Sequence, residues 1–242
     1  MAKDFIIIIP ARYKSSRFPG KPLVDIKGKT MIQRVWEKCV AASSNEKVII
    51  ATDDMRIEEH CKSVGMRVIM TSDQCLTGTD RVSEVSRVIE VDFYINVQGD
   101  EPLIDPDDIL KIINAYKENP EDTFCAMTKI DSAEDYTNKN IPKVVVSNDN
   151  CLLYISRSGI PSNKEGTVVP TMKQVCIYAF PKKHLAQFGL NKEKNNLENI
   201  EDIELLRLLE RGFRVRMVPI NSSSIAVDTP EDLKKVISLV DD

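Results

Sequence analysis

The sequence predicts an α/β fold in which a mostly parallel, doubly wound sheet is covered by helices on both faces. Short apolar runs, rich in β-branched residues, indicate buried strands at residues 5–9, 48–52, 67–70 and 93–97. Helical apolar spacing separates these runs, at residues 31–42, 55–64 and from 77–81 onward. Such alternation of strand and helix is typical of parallel sheets joined by right-handed crossovers.

Two helix starts in the first half of the chain have explicit capping signals. In the segment 77–81, Thr79 or Asp80 is the expected N-cap. The small residues of this segment would also let the loop lie against the planar ring of a nucleobase. This interpretation is compatible with a role in capping the helix. Asp105 followed by Pro106 predicts the start of the next helix, because proline suits the first helical turn.

The second half of the chain predicts shorter elements. A strand is expected at 122–130, and the polar composition of 133–142 marks a boundary. The elements expected beyond it are a hairpin of 143–146 and 151–156, a strand at 173–180, helices at 183–188 and 200–210, and a strand at 214–220. We therefore predict a main core of about 1–132 and 211–242, with a smaller lobe of about 133–210.

Two groups of ionisable side chains are expected at the surface. The acidic run of Glu198, Glu201 and Glu204 falls on one side of the predicted helix and is interpreted as a solvated face. His60 and His184 lie in helix-like segments and are interpreted as surface residues rather than metal ligands.

Composition and charge argue against several classes of protein. The 242 residues suit one large α/β domain, or a main domain with a lobe. The net charge of −4 argues against a nucleic-acid partner. No apolar run has the length of a membrane span and no cleavable signal pattern is present, so we expect a cytoplasmic protein without membrane contact. The six widely spaced cysteines predict reduced thiols rather than a zinc site or disulfides.

A basic loop follows the first predicted strand. It contains Arg12, Lys14, Arg17 and Lys21, with Gly20 next to the last of them. A buried strand that runs into a basic, small-residue loop is one way in which α/β proteins hold a phosphate chain at the carboxyl edge of the sheet. The loop is not a P-loop, which needs a second glycine and a hydroxyl residue after the lysine. The alternative is a solvated basic loop between two core elements.

Two carboxylates have no evident structural role in the sequence. Asp100 follows the predicted strand at 93–97, and Asp228 precedes a helix whose start is explained by Thr229 and Pro230. Asp100 is interpreted either as a Mg²⁺ ligand opposite the basic loop or as an aspartate in a tight turn. Two carboxylates on one metal would fit nucleotidyl transfer, because the charge of a triphosphate must be neutralised before its α-phosphorus is attacked.

Five stretches carry a resemblance to a known family. They are residues 8–23 (IIPARYKSSRFPGKPL), 78–81 (GTDR), 96–102 (NVQGDEP), 154–157 (YISR) and 227–233 (VDTPEDL). In this order they resemble the motifs of the 3-deoxy-manno-octulosonate (Kdo) cytidylyltransferases, or CMP-Kdo synthetases. The resemblance implies the Rossmann-like nucleotide-diphospho-sugar transferase fold and a homodimer formed largely by the smaller lobe. It also implies conversion of CTP and a small sugar acid to a CMP-sugar and pyrophosphate, in lipopolysaccharide biosynthesis.

The resemblance also implies roles for individual residues. The implied catalytic residues are Arg12, Lys21, Asp100 and Asp228, with Mg²⁺ held by the two aspartates. The implied nucleotide-binding residues are Pro10, Ala11, Arg12, Ser15, Ser16, Lys21, Cys75, Gly78, Thr79, Arg81 and Gln98. The implied sugar-acid-binding residues are Arg157, Gln174, Tyr178, Glu204 and Leu205.

The chain departs from the family pattern mainly around the acceptor. Gln174 and Cys176 stand where the family has histidine and glycine, and Leu205 stands where it has glutamine. Cys75 replaces a histidine near the cytosine end. A sugar hydroxyl left unpaired beside Leu205 would cost about 1–3 kcal/mol.

These departures leave alternative functions open. One hypothesis is an intact CTP half with an amino-sugar or other 2-keto acid acceptor, and the other is a divergent Kdo enzyme with a compensated pocket. A nucleotidyltransferase that uses a different acidic acceptor or another base is a further alternative, as is a non-catalytic relative that binds CTP or a sugar.

Overall fold

The computed structural model describes residues 4–15, 17–130, 132–190, 193–221 and 224–240. Its strands are β1 (Phe5–Ala11), β2 (Asp25–Ile26), β3 (Lys29–Thr30), β4 (Val48–Thr52), β5 (Val68–Met70), β6 (Phe93–Val97), β7 (Thr123–Lys129), β8 (Lys143–Val146), β9 (Leu152–Ser156), β10 (Met172–Pro181) and β11 (Val215–Pro219). Its helices are α1 (Met31–Ala41), α2 (Met55–Ser63), α3 (Gly78–Val85), α4 (Pro106–Glu118), α5 (Ala133–Thr137), α6 (Lys182–Phe188), α7 (Asn196–Glu201), α8 (Leu205–Glu210) and α9 (Pro230–Leu239). Of the helices in these ranges, none is long and apolar enough to cross a membrane.

A mixed sheet in the order β11–β7–β10–β6–β1–β4–β5 organises the molecule. β1 is parallel to both of its neighbours, with Ile7 opposite Ile95 of β6 and Val48 of β4. β10 is antiparallel to β6 and β7. The β4–β5 and β7–β11 pairs are again parallel. The predicted α/β class with a mostly parallel central sheet is therefore confirmed.

Successive side chains of β1 enter two apolar layers on opposite faces of the sheet. Ile7 and Ile9 pack in a cluster with side chains of α1, α2 and α4. Ile6 and Ile8 pack in a second cluster with side chains of α3, α6 and α8. Because side chains alternate across a strand, a strand covered on both faces needs a continuous apolar sequence. This requirement explains the run of isoleucines at the start of the chain.

The helix starts agree with the sequence in two places and differ in a third. Asp105 caps α4, and Thr229 caps α9. The N-cap of α3 is Thr77, and the expectation of Thr79 or Asp80 is wrong. Asp80 instead completes a capping box, in which its carboxylate accepts the Thr77 N–H at 2.8 Å.

The predicted helix at 200–210 is divided into α7 and α8. The break is at Asp202, which has a left-handed backbone with φ of 51°. The carbonyl of Asp202 accepts a hydrogen bond from Arg157 at 2.8 Å, so the break provides an acceptor for a distant side chain. The predicted solvated acidic face is wrong for Glu198, which is fully buried. His184 is buried as well, against the prediction of a surface residue.

The range 133–210 contributes both to the central sheet and to its periphery. β10 lies within the sheet, between β6 and β7. The predicted hairpin is confirmed as the antiparallel pair β8–β9, with Asn150 in its turn at φ of 59°. β8 also pairs with β10, so the hairpin is attached to the central sheet through this strand. The boundaries of the smaller lobe stay a prediction.

Candidate active site

A cavity of about 260 Å³ lies where the basic loop after β1 meets the end of β6 and the start of α3. Nine of the eleven residues predicted to bind nucleotide line it, namely Pro10, Ala11, Arg12, Ser15, Lys21, Cys75, Gly78, Arg81 and Gln98. Thr79 does not line the cavity, because it is buried and its hydroxyl accepts a hydrogen bond from Asn96 at 3.1 Å. Ser16 lies outside the described residues.

The basic loop is closed by a contact between Tyr13 and Gly20. The Gly20 N–H donates to the Tyr13 carbonyl at 2.8 Å, and Gly20 has φ of 74°, which glycine adopts without strain. A Cβ atom at Gly20 would lie 2.9 Å from the Tyr13 ring. The Arg56 guanidinium lies 3.3 Å from the centroid of the same ring. This closure places Arg12 and Lys21 on the wall of one cavity.

Close packing at Gly78 shapes the opposite wall of the cavity. A Cβ atom at Gly78 would lie 2.6 Å from the Gln98 amide nitrogen and 3.1 Å from the Pro10 ring. Glu204 accepts hydrogen bonds from the Gln98 amide at 3.1 Å and from the Thr79 N–H at 3.0 Å. Burial raises the pKa of the Glu204 carboxyl, although its hydrogen bonds with Thr79 oppose that shift. Glu204 therefore holds Gln98 against the first turn of α3.

Two carboxylates and two cations meet beside the basic loop. The Lys21 ammonium lies 2.8 Å from Asp100 Oδ2 and 3.2 Å from Asp228 Oδ1, and it donates to the Val227 carbonyl at 3.0 Å. The Arg17 guanidinium lies 3.1 Å from the same Asp228 oxygen. The structure thus brings together Lys21, Asp100 and Asp228, which lie far apart in the sequence.

Asp100 and Asp228 could together hold a magnesium ion that takes its remaining ligands from phosphate groups and water. Their shared contact with one ammonium group indicates that both carboxylates face the same point. In the described ranges, no group of three or more His, Cys, Asp or Glu side chains is arranged to hold a metal. Mg²⁺ commonly binds through one or two carboxylates and takes its other ligands from phosphate oxygens and water. A pair of aspartates beside a basic loop matches that preference.

A second cavity, of about 530 Å³, adjoins the first. The two cavities share Arg17, Gln98, Asp100, Asp202, Glu204 and Asp228. Four residues predicted to bind the sugar acid line the second cavity, namely Arg157, Gln174, Tyr178 and Glu204. Leu205 does not line it, because it is buried in the apolar cluster against the sheet. The expectation that Leu205 leaves a sugar hydroxyl unpaired is therefore wrong.

The antiparallel course of β10 brings the second cavity next to β6. Tyr178 is paired with Asn96, and the Gln98 N–H donates to the Cys176 carbonyl at 3.2 Å. The Gln174 amide donates to the Tyr178 hydroxyl at 3.1 Å. The substituted positions Gln174 and Cys176 line this cavity, which is where the family resemblance implies the acceptor pocket.

Arg157 joins three chain segments at the edge of the second cavity. Its guanidinium donates to the carbonyls of Glu201 at 2.5 Å, Lys139 at 2.9 Å and Asp202 at 2.8 Å. A guanidinium has further N–H groups beyond these contacts. Arg157 can therefore hold the cavity wall and also face an acidic ligand.

Glu101 belongs to the site, although the sequence suggests no role for it. Its side chain is only 5% exposed and lines the second cavity. It accepts the Cys176 N–H at 3.1 Å. Burial, and then the neighbouring Asp100 carboxylate, raise the pKa of Glu101 to about 7. Its signals in the sequence are its position directly after Asp100 and its place within the motif at 96–102.

A buried ion-pair network connects α7 and α8 with the first turn of α3, which borders the first cavity. Arg207 of α8 is fully buried and donates to Glu198 at 2.6 Å and to Asp80 at 2.5 Å. Its guanidinium also lies 3.8 Å from the Phe188 ring. Because Asp80 forms the capping box of α3 with Thr77, which lines the first cavity, the network connects α8 with that cavity.

A basic loop that faces two aspartates between adjoining cavities, on a mixed α/β sheet, suits an enzyme that transfers a phosphate-containing group. A family model described as cytidylyltransferase matches residues 6–220, and the chain belongs to this family. The family resemblance of the sequence motifs is thereby confirmed.

Three similar proteins place the chain more closely within this family. One is a protein of Arabidopsis thaliana named 3-deoxy-manno-octulosonate cytidylyltransferase, mitochondrial, which is 41% identical over 96% of this chain and 82% of its own length. Another, from Shewanella sp. strain W3-18-1, is named 8-amino-3,8-dideoxy-manno-octulosonate cytidylyltransferase and is 40% identical over 96% of each chain. A solved structure described as CMP:2-keto-3-deoxy-manno-octonic acid synthetase complexed with CTP has a TM-score of 0.89, with 38% identity and 97% coverage of each chain.

Proposed function

We propose that the protein transfers a cytidylyl group from CTP to a 3-deoxy-2-keto sugar acid and releases pyrophosphate, with Mg²⁺ as cofactor. The observation that supports this proposal best is the pair of adjoining cavities that share Asp100 and Asp228. A nucleotide in the first cavity and an acceptor in the second would meet at these carboxylates. One site would then align the reacting groups and neutralise their charge.

Arg12 and Lys21 are the proposed triphosphate contacts. Both line the first cavity, and the closed basic loop fixes their positions relative to each other. Gln98 is the proposed contact for the base, because Glu204 and Gly78 hold its amide at the opposite wall. A cavity that is lined both by cations and by a fixed amide suits the polarity of a nucleoside triphosphate.

The proposed reaction is a direct displacement. The anomeric hydroxyl oxygen of the sugar acid forms a bond with the α-phosphorus, and the bond from that phosphorus to the bridging oxygen of the β-phosphate breaks. Pyrophosphate leaves with the electron pair of the broken bond, and the proton of the attacking hydroxyl is released to water. Mg²⁺ held by Asp100 and Asp228 would stabilise the charge that develops on the phosphates. The route needs no nucleophile from the protein.

Kdo and its 8-amino relative are the two acceptors that we propose to compare. Relatives named for either sugar are almost equally similar to this chain, at 41% and 40% identity. Gln174 and Cys176, which depart from the usual family residues, line the acceptor cavity and are therefore placed to affect this choice. Leu205 is not.

Three further properties rest on the family resemblance and are proposed with the activity. They are a homodimeric assembly, a cytoplasmic location and a role in lipopolysaccharide biosynthesis. Cell fractionation in the source organism tests the location, since one relative is named as mitochondrial.

The test of the proposed function is pyrophosphate release from CTP and Mg²⁺ with a panel of sugar acids that includes Kdo and its 8-amino relative. Asp100→Asn and Asp228→Asn should each lower turnover at least about a hundredfold, because each removes a carboxylate from the metal and phosphate region. Asp107→Asn changes an exposed aspartate on α4 and should leave turnover within about twofold.

Thermal unfolding of each variant separates loss of activity from loss of fold. Pyrophosphate release with one of the acceptors, together with folded but inactive Asp100→Asn and Asp228→Asn proteins, would support the proposal. The absence of release with every sugar acid would refute it.

A further inference from the structure

The two aspartates of the candidate metal site already have cationic partners within the protein. Asp100 pairs with Lys21, and Asp228 pairs with both Lys21 and Arg17 through the same oxygen. The four side chains carry two negative and two positive charges, so the cluster is neutral as a unit. A divalent cation that approaches these carboxylates must overcome repulsion by both cations or displace them.

Lys21 and Arg17 differ in how firmly they are held. The Lys21 side chain is 16% exposed and has three oxygen partners, including the Val227 carbonyl. The Arg17 side chain is 51% exposed, and besides its ion pair with Asp228 it donates a long hydrogen bond of 3.5 Å to the Asn140 side chain. Arg17 therefore has more freedom to leave the carboxylate without loss of buried contacts.

The position of Arg17 would allow it to form an ion pair with a bound nucleotide instead of with Asp228. It lines both the nucleotide cavity and the acceptor cavity. The phosphates of a nucleotide would offer several anionic oxygens within the same cavity, and arginine pairs well with phosphate. Movement of Arg17 from carboxylate to phosphate would remove one of the two cations that contact Asp228 Oδ1, while Arg17 keeps an ion pair.

We propose that Arg17 is an exchangeable counter-ion of Asp228, which pairs with this carboxylate in the free protein and with the nucleotide phosphates when metal and nucleotide bind together. This inference rests on the proposed function, because it assumes that the first cavity binds a nucleoside triphosphate. Its consequence is thermodynamic: the metal and the nucleotide each strengthen the binding of the other, by the same factor. Metal alone binds weakly, because it competes with Arg17.

Binding of Mn²⁺, measured by electron paramagnetic resonance without nucleotide, tests the counter-ion directly. Arg17→Gln should tighten the binding of Mn²⁺ alone by about three- to tenfold, since a positive charge is removed a few ångströms from the metal position. Arg17→Lys retains the charge and should stay close to the wild-type affinity. Lys14→Gln makes the same change of charge at an exposed position of the same loop and should change the affinity less than about twofold.

The same titration with saturating CTP measures the coupling. We expect CTP to tighten Mn²⁺ binding in the wild-type protein and in Arg17→Lys, and we expect a smaller factor in Arg17→Gln. Circular dichroism of each variant confirms that the comparison is made between folded proteins.

The outcomes separate this inference from the proposed function. If Arg17→Gln binds Mn²⁺ no more tightly than the wild-type protein, the counter-ion role is refuted, whatever the turnover assays give. Equal tightening of Mn²⁺ binding in Lys14→Gln and Arg17→Gln would also refute the counter-ion role, because the effect would then come from the net charge of the loop rather than from the contact with Asp228. Failure of pyrophosphate release, in contrast, would refute the proposed reaction and leave the Mn²⁺ measurement without nucleotide still valid.

Discussion

Single ionisable residues set the charge of the site, and Lys21 illustrates how they do so. Burial alone would lower the pKa of the Lys21 ammonium, but the Asp100 and Asp228 carboxylates outweigh burial and raise it. Lys21 therefore stays protonated at neutral pH and remains a cation between the two carboxylates. Loss of either aspartate would remove part of this support, so the lysine and the two carboxylates depend on one another.

His184 is a second residue whose charge is controlled by its surroundings. It is buried, and its Nδ1 atom lies 2.9 Å from the Thr123 hydroxyl. Burial, and to a smaller extent Lys183, lower the pKa of His184 to about 4. The native protein thus holds the imidazole neutral at a pH where an unfolded chain would protonate it.

We predict that His184 destabilises the fold in mild acid. Below its unfolded pKa of about 6.5 the unfolded chain binds a proton that native His184 refuses, so stability is full above that value and is lost as the pH falls towards 4. The loss should reach about 2 kcal/mol at pH 5. Urea unfolding at pH 7.5 and pH 5 measures it, and His184→Asn should remove most of the difference.

His60 provides the matched control, because the chain has only these two histidines. Burial lowers the pKa of His60 as well, but His60 is less buried and its shift is smaller. His60→Asn should therefore retain most of the wild-type pH dependence. Parallel pH curves for the wild-type protein and His184→Asn would contradict the prediction.

Among the elements, periodicity predicts best where a segment is long and buried on a defined face. The strands at 5–9, 48–52 and 93–97 and the helix at 31–42 are confirmed within two residues. The segment 200–210 fails, because the break at Asp202 depends on a contact with Arg157 that is distant in the sequence. Local spacing cannot contain such information.

The network around Arg207 shows how a short helix acquires stability from partners outside itself. α8 has only six residues, and an isolated helix of that length is not stable. Its Arg207 pairs with Glu198 of α7, and neither side chain is exposed to solvent. Asp80, in the first turn of α3, is its second carboxylate partner. Three helices are therefore linked through one guanidinium.

We predict that Arg207→Met lowers the free energy of unfolding by about 3–5 kcal/mol, because it leaves the buried Glu198 carboxylate without a counter-ion. The double variant Glu198→Gln, Arg207→Met should recover part of this loss, since the uncompensated charge is removed. Urea unfolding measures both. Arg214→Met alters an exposed arginine and should change stability by less than about 0.5 kcal/mol. Equal losses in the single and double variants would indicate that packing, rather than charge, dominates.

At the scale of the whole molecule, the order of the strands explains why only part of the site could be predicted. The basic loop, Asp100 and Asp228 each follow or precede a recognisable element, so their meeting at the sheet edge could be inferred. The insertion of β10 between β6 and β7, against the direction of both, has no local signal. Without the family motifs, the sequence therefore could not place Gln174 or Tyr178 beside Gln98. The residue Glu101 was missed for the same reason, because its partner Cys176 comes from β10.

The edge of the sheet at β9 leads to a prediction about assembly. Within the described chain β9 itself pairs only with β8, although Cys151, directly before β9, forms an isolated bridge with Arg216 of β11. Leu153 of this strand is 61% exposed, whereas its neighbour Leu152 is buried. An open strand edge with an exposed apolar residue favours association with another chain. The edge lies in the region predicted to form the dimer.

We predict that the protein is a dimer in solution and that Leu153→Glu weakens it, because a charge would be buried at the interface without a partner. Light scattering at a series of concentrations should give twice the mass of one chain for the wild-type protein, and a shift towards the monomer of about tenfold or more in dissociation constant for the variant. Val88→Glu is the control, since Val88 is 73% exposed but lies outside the predicted smaller lobe. A monomeric wild-type protein would contradict the predicted assembly, and an unchanged dimer in Leu153→Glu would place the interface elsewhere.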